Sequence, residues 1–256
     1  GNMAGAIMGG IIRNEIFKPE EIIGADISKE SRSKVQSAYG INVTEDNKKA
    51  ASESEVLVLS VKPQYYAETI KEIKDCVRED QLIITIAPGK TLKWLEEQFE
   101  KKVKIVRAMP NTPALVGEGM TAACANDAVT EEEKEYALKI LRSFGKVEIV
   151  AENMIDAVVA VSGSAPAYVF MFIEAMADAG VKLGLPRAKA YKLAEQSILG
   201  SAKLALETGK HPGVLKDEVC SPGGTTIEAV IDLEKNGFRN TVISAIEKCA
   251  NKSKNI

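Results

Sequence analysis

Between Glu21 and about Ala151, short β-rich runs alternate with polar or amphipathic stretches of helical length. From Glu152 onward no strand signal returns, and long alanine-rich helical runs follow. The first pattern specifies a mostly parallel sheet with covering helices, and the second a helical body. The 256 residues are enough for two domains, each with its own core. The expected division is an α/β domain over 1–151 and an all-helical domain over 152–256.

The expected strands are Glu21–Asp26, Glu55–Val61, Gln81–Ala87, Lys102–Ala108, Met120–Ala125 and Lys146–Val150, with helices in most of the gaps. Residues 55–61 are apolar on both faces, as a strand between two helix layers must be, and Lys62-Pro63 ends the run. The charge at its carboxyl end falls where open α/β sheets bind ligands. In the helical half, the expected helices run from Ala165 to Leu183 and from Pro186 to Thr208. Pro186 suits the first turn of the second helix and Gly209 its C-terminal cap. The only charges from Ala165 to Leu183 are Glu174, Asp178 and Lys182, four apart on one narrow stripe. So apolar a helix must be covered on several sides, which a small helical domain struggles to do alone. Packing across a subunit interface is expected; burial within one chain is the alternative.

Composition excludes several classes. A formal net charge of −3 offers no broad attraction to nucleic acid or anionic membrane. Cys76, Cys124, Cys220 and Cys249 are too far apart for a C-x-x-C redox pair or zinc knuckle, so a reduced, cytoplasmic setting is expected. No leader pattern is seen, and no apolar run is read as long enough to span a bilayer. His211, the only histidine, sits in a Gly-Lys-His-Pro-Gly turn, which disfavours both a Ser-His-Asp hydrolase and a histidine-rich metal site. No metal is expected.

Two segments suggest ligands. The chain opens with Gly1-Asn2-Met3-Ala4 and a helical pattern to about Asn14. A dinucleotide fold begins with a strand, a glycine turn and a helix whose N-terminus receives the pyrophosphate. Gly1 matches the second glycine of that turn and Ala4 the third small position, with the strand and first glycine expected upstream. A chain without them is expected to be less stable or to bind cofactor poorly. The alternative is a plain Ala/Gly-rich helix. Near the other end, Ser221-Pro222-Gly223-Gly224-Thr225-Thr226 places a turn at a helix start. Its glycines admit a close ligand, and the first helical N–H groups can bind a carboxylate. The alternative is a helix cap made by Thr225 or Thr226.

Arg107-Ala108-Met109-Pro110-Asn111-Thr112-Pro113 combines a strand end, two prolines and an amide. Together with Gly1 to Ala4, Val61-Lys62-Pro63, residues 161–168 and the Ser221 to Thr226 turn, it closely resembles pyrroline-5-carboxylate reductase, across essentially the whole chain and in the family's order. The resemblance implies NADH- or NADPH-dependent reduction of a cyclic imino acid, 1-pyrroline-5-carboxylate, to proline. It also implies a Rossmann-type domain, a helical dimerisation domain, a homodimer and assembly of dimers into larger rings.

By position, the resemblance assigns Gly1, Asn2 and Met3 to the pyrophosphate turn and Asn47 to the adenosine half. Val61, Lys62 and Pro63, with Ala87 and Pro88, fall on loops along the cofactor, and Asn111 near the nicotinamide. Lys62 is read equally as a phosphate contact and as a solvated lysine. Ser221, Gly223, Gly224, Thr225 and Thr226 match the substrate loop, with Thr226 the catalytic hydroxyl at the ring nitrogen. Asp26 suits a ribose 2′-OH and so favours NADH, whereas Ser28, Lys29 and Arg32 suit a 2′-phosphate. A β-hydroxyacid dehydrogenase needs a base, usually lysine, on the interdomain helix, and Gly163 to Ile173 supplies no lysine, histidine or carboxylate. A non-catalytic dinucleotide sensor is the remaining rival.

Overall fold

The computed structural model describes residues 1–254, so Asn255 and Ile256, at the end of the expected helical domain, lie outside the described residues. The chain forms two compact units: Gly1–Ser164 with the C-terminal stretch from Cys249, and Ala165–Lys248. This division differs from the expected one at 151/152. Residues 152–164 go with the sheet because Ile155 and Val158 pack into its core and Ser253 Oγ donates to Asp156 Oδ1 at 2.6 Å.

In chain order the first unit contains α1 (Asn2–Arg13), β1 (Ile23–Ala25), α2 (Lys29–Tyr39), β2 (Asn42–Thr44), α3 (Asn47–Glu53) and β3 (Val56–Leu59). It continues through α4 (Tyr66–Ile73), β4 (Leu82–Thr85), α5 (Leu92–Phe99), β5 (Lys104–Met109), β6 (Gly119–Ala125), α6 (Glu131–Arg142), β7 (Gly145–Ile149) and α7 (Ile155–Val158). A π-helical turn, Val159–Gly163, leads out of it.

Strands β3 to β7 form one sheet in that order, parallel except where β5 meets β6. Strands β1 and β2 pair in parallel as a separate two-stranded sheet. A cavity of about 500 Å³ is lined by residues of α1, β1 and β3, among them Ile7, Ile11, Ile23 and Val56.

The middle strands β4, β5 and β6 are buried on both faces, whereas β3 is half-buried and β7 is partly exposed. On β4, Ile83 enters one core with Tyr66, Ile70, Leu95 and Phe99. Its neighbours Leu82 and Ile84 enter the other with Ile7, Ile11, Leu138 and Phe144. That is the two-residue alternation of a pleated strand.

All six expected strands form, with ends that differ by at most two residues. Strand β2 was not expected. Its three residues, Asn-Val-Thr, are too few to show a period, and it forms because β1 offers an edge.

The second unit contains α8 (Ala165–Lys182), α9 (Arg187–Thr208), α10 (Pro212–Val219), α11 (Thr225–Lys235) and most of α12 (Phe238–Ser253). Pro186 caps α9 rather than starting it, and Gly209, at φ +64°, closes it as expected. Within α8 only Ala177 is buried, while Phe170 is 60% and Met171 69% exposed. Burial of this helix inside one chain is therefore not what forms.

One stretch bears on the expectation that no apolar run reaches bilayer-spanning length. Residues Glu152–Lys182, helical but for a bend at Ser164, are by length and composition alone apolar enough to cross a membrane. A count of consecutive apolar residues passes over it because Ser162, Gly163, Ser164 and Pro166 break the uncharged run from Ala157 to Ile173.

Candidate active site

Strands β3, β4 and β5 run the same way and end on one edge, and several expected cofactor residues follow strand ends. Gly1, Asp26, Asn47 and Val61 line the same cavity. Gly1 directly precedes α1, and Asn2 and Met3 are its first two residues. Asp26 follows β1 directly. Asn47 donates to Glu72 Oε2 at 2.8 Å, so its amide is partly committed to holding α3 against α4. The Lys62 side chain is exposed, and its carbonyl accepts the Tyr65 N–H at 2.9 Å to start the Pro63–Tyr65 turn.

One residue that the sequence did not single out joins two of these loops. Tyr66, fully buried, donates to the Leu59 carbonyl at 2.6 Å and accepts from Thr85 Oγ1 at 3.1 Å. It thereby ties the carboxyl end of β3, before Val61 to Pro63, to that of β4, before Ala87 and Pro88. Desolvation pushes its phenol pKa up to about 12, so the hydroxyl stays protonated and available as a donor. A tyrosine in the first turn of a helix just after Lys-Pro was the available signal.

Asn111 is a brace. Its Oδ1 accepts the Met120 N–H at 2.8 Å, and its Nδ2 donates to the Ser162 carbonyl at 3.3 Å and Oγ at 3.4 Å. The amide thus fastens the end of β5 to the start of β6 and to the π-helical turn. Such turns recur at functional sites.

Four residues upstream, Arg107 is buried to 3% exposure and pairs with Glu152 Oε1 at 2.9 Å. That carboxylate also accepts the Leu92 N–H at 2.6 Å. Arg107 lies opposite Cys124 in the β5–β6 register, where burial pushes the thiol up to about 11 and leaves it unreactive at neutral pH. Neither Arg107 nor Glu152 was identified as a pair from sequence.

In the second unit, α11 follows the Ser221–Gly224 turn. Gly223 has φ +66°, a conformation that favours glycine, and Gly224 donates its N–H to the Ser221 carbonyl at 3.0 Å. A side chain at Gly224 would place its Cβ 2.4 Å from Ser221 Oγ. Gly224 is the N-cap of α11, and no side chain bonds to the cap donors. The alternative that Thr225 or Thr226 caps the helix is therefore not what forms. Both threonines are instead its first two residues, Thr226 half-buried and Thr225 exposed. Open N–H groups beside a hydroxyl form a nest suited to a small carboxylic acid. His211 caps α10 by accepting the Gly213 N–H at Nδ1, 3.1 Å. Among the described residues no cluster of metal-ligating side chains occurs.

A mostly parallel, helix-covered sheet followed in the same chain by a helical unit is the architecture of the two-domain dinucleotide-dependent oxidoreductases. Residues 152–256 match the family profile described as pyrroline-5-carboxylate reductase dimerisation, and residues 1–89 that of NADP oxidoreductase coenzyme F420-dependent. The chain is 49% identical to pyrroline-5-carboxylate reductase of Escherichia coli strain K12, over all of this chain and 95% of that one. A structure of the Coxiella burnetii enzyme superposes with a TM-score of 0.92 at 38% identity, covering 100% of this chain and 95% of that one. The Plasmodium falciparum structure with NADP bound gives 0.90 at 36%, covering 99% and 94%. The chain belongs to the pyrroline-5-carboxylate reductase family.

Proposed function

We propose that this protein reduces 1-pyrroline-5-carboxylate to L-proline with NADH or NADPH as hydride donor. The observation that carries the reading is the uncapped start of α11 behind the Ser221–Gly224 turn. A small anion satisfies N–H groups that no side chain covers.

The residues of the first unit fit a dinucleotide. Gly1, Asn2 and Met3, at the N-terminal end of α1, suit the pyrophosphate. Asp26 and Asn47 suit the adenosine half. Val61, Lys62, Pro63, Ala87 and Pro88 line its path, and Asn111 holds the loop at the nicotinamide end. When bound, the reduced nicotinamide supplies a hydride.

This chain's part is placement. Ser221, Gly223, Gly224 and Thr225 present the backbone to the substrate carboxylate, while the Thr226 hydroxyl hydrogen-bonds the ring nitrogen and fixes the C=N carbon for attack. A cyclic imine is basic enough to arrive protonated, so the hydride completes the saturated ring without an enzymic acid. That accounts for a site with no histidine.

The proposed assembly is a homodimer through the helical region, with dimers joined into a ring. The proposed setting is the cytoplasm, with no membrane or nucleic-acid partner. The division into a dinucleotide-binding region, 1–151, and a helical dimerisation and substrate region, 152–256, belongs to the same reading. The test is imine-dependent oxidation of NADH or NADPH by purified protein, with proline-dependent reduction of the oxidised cofactor at high pH as the reverse assay. Dinucleotide binding without turnover in either direction would replace this reading with a sensor.

A further inference from the structure

Charged side chains gather just after the carboxyl end of β1, where Asp26, Arg32 and Glu45 are linked. Asp26 Oδ1 accepts the Ser28 N–H at 2.8 Å. Among the described residues its other oxygen accepts no bond, which leaves it open to a ribose hydroxyl.

Arg32, one turn into α2, is committed elsewhere. Its Nη1 donates to the Asp26 carbonyl at 2.8 Å and the Ile27 carbonyl at 3.1 Å, and its Nη2 pairs with Glu45 Oε2 at 3.0 Å. The Arg32 side chain is only 16% exposed, whereas that of Glu45 is 77% exposed. The guanidinium lies along the backbone it supports, with a carboxylate over it. Ser28 Oγ accepts the Ser31 N–H at 3.2 Å as the N-cap of α2. Of the three groups suited to a phosphate, Lys29 alone is uncommitted, and Glu30 stands beside it on the same exposed turn.

We propose that Asp26 and the Arg32–Glu45 pair make this protein select NADH over NADPH, with Glu45 the residue that withholds Arg32 from a 2′-phosphate. The proposal deepens the cofactor reading above and rests on it. A 2′-phosphate would meet the Asp26 carboxylate and find the nearest guanidinium already neutralised, and like charge brought together weighs against the wrong ligand more than added contacts favour the right one. A ribose diol needs only an acceptor.

Binding decides the matter without turnover. Titration calorimetry would compare ADP-ribose with 2′-phospho-ADP-ribose, which carry the distinguishing end of each cofactor and cannot react. The unsubstituted protein should bind ADP-ribose about tenfold or more tighter, the scale of one misplaced charge. Glu45→Gln, an exposed change that keeps the fold, should strengthen the phosphorylated probe several-fold and leave ADP-ribose within about twofold. Asp26→Ser with Glu45→Gln should reverse the preference, and adding Arg32→Ala should abolish the reversal. Equal or tighter binding of the phosphorylated probe by the unsubstituted protein would overturn the selection and leave the cofactor edge standing. So would Glu45→Gln moving both probes by one factor, since a purely structural role does that. Failure of both probes to bind would remove the cofactor edge itself, and the selection with it.

Discussion

Thr226 is the residue on which the proposed chemistry turns. It stands second in α11, half-buried, beside N–H groups that no side chain caps. Thr226→Ala removes a hydroxyl and little volume, so kcat/KM for the imine should fall roughly ten- to thousandfold with an unchanged melting temperature, the range of a lost catalytic hydrogen bond. Unchanged steady-state kinetics would take Thr226 out of the mechanism. Tyr66 calls for a different measurement. Its pKa rises from 10.0 in the unfolded chain to about 12 in the fold. Between those values the folded protein keeps a proton that the unfolded chain has lost. The stability that Tyr66 contributes is therefore complete below pH 10 and drains away as pH rises toward 12. Urea denaturation across that range should show a falling midpoint that Tyr66→Phe flattens. The same variant should lose about 1 kcal/mol at neutral pH, the scale of one buried hydrogen bond. The Ser221 to Thr226 turn could be read from sequence because paired glycines before a helix announce backbone geometry. The Tyr66 network could not, because it depends on which of the Leu59 and Thr85 groups the sheet brings within reach.

At the scale of elements, the sheet was legible from its pattern and its joints were not. Strands β3 and β4 advertise themselves by apolar residues on both faces and β7 by its alternation, whereas β2 spends three residues on an edge and shows no period. The Arg107–Glu152 joint crosses 45 residues of sequence and pins β5 and the N-terminus of α5 to the turn before α7. Arg107 reads in sequence as one more residue of a strand. Removing Glu152 leaves a buried guanidinium without its partner, whereas removing Arg107 leaves a carboxylate that still touches water. Glu152→Ala should therefore lose about 3 kcal/mol in chemical denaturation, and Arg107→Met less. Equal losses would mean that packing, not charge, holds the joint. Asn111 belongs with these joints. Its sequence position marked the right loop, but its amide bonds brace β6 and Ser162.

For the whole molecule, the apolar circumference of α8 was the most informative part of the sequence. It foretold a surface that one chain does not cover, and Phe170, Met171 and Phe172 are exposed as that requires. Light scattering at micromolar concentration should give a mass of at least two chains. Met171→Asp should shift that equilibrium toward monomer by burying a charge at the contact. A strictly monomeric unsubstituted protein would contradict the interface.

The bare start of α11 has one more consequence. Its attraction for an acid comes from fixed peptide dipoles, which have no proton to gain or lose. The grip on the substrate acid is then the same at pH 6 as at pH 9, and the pH–rate curve belongs to the ionisation of the incoming ring nitrogen. A cyclic imine of altered basicity should carry the limb of that curve with it.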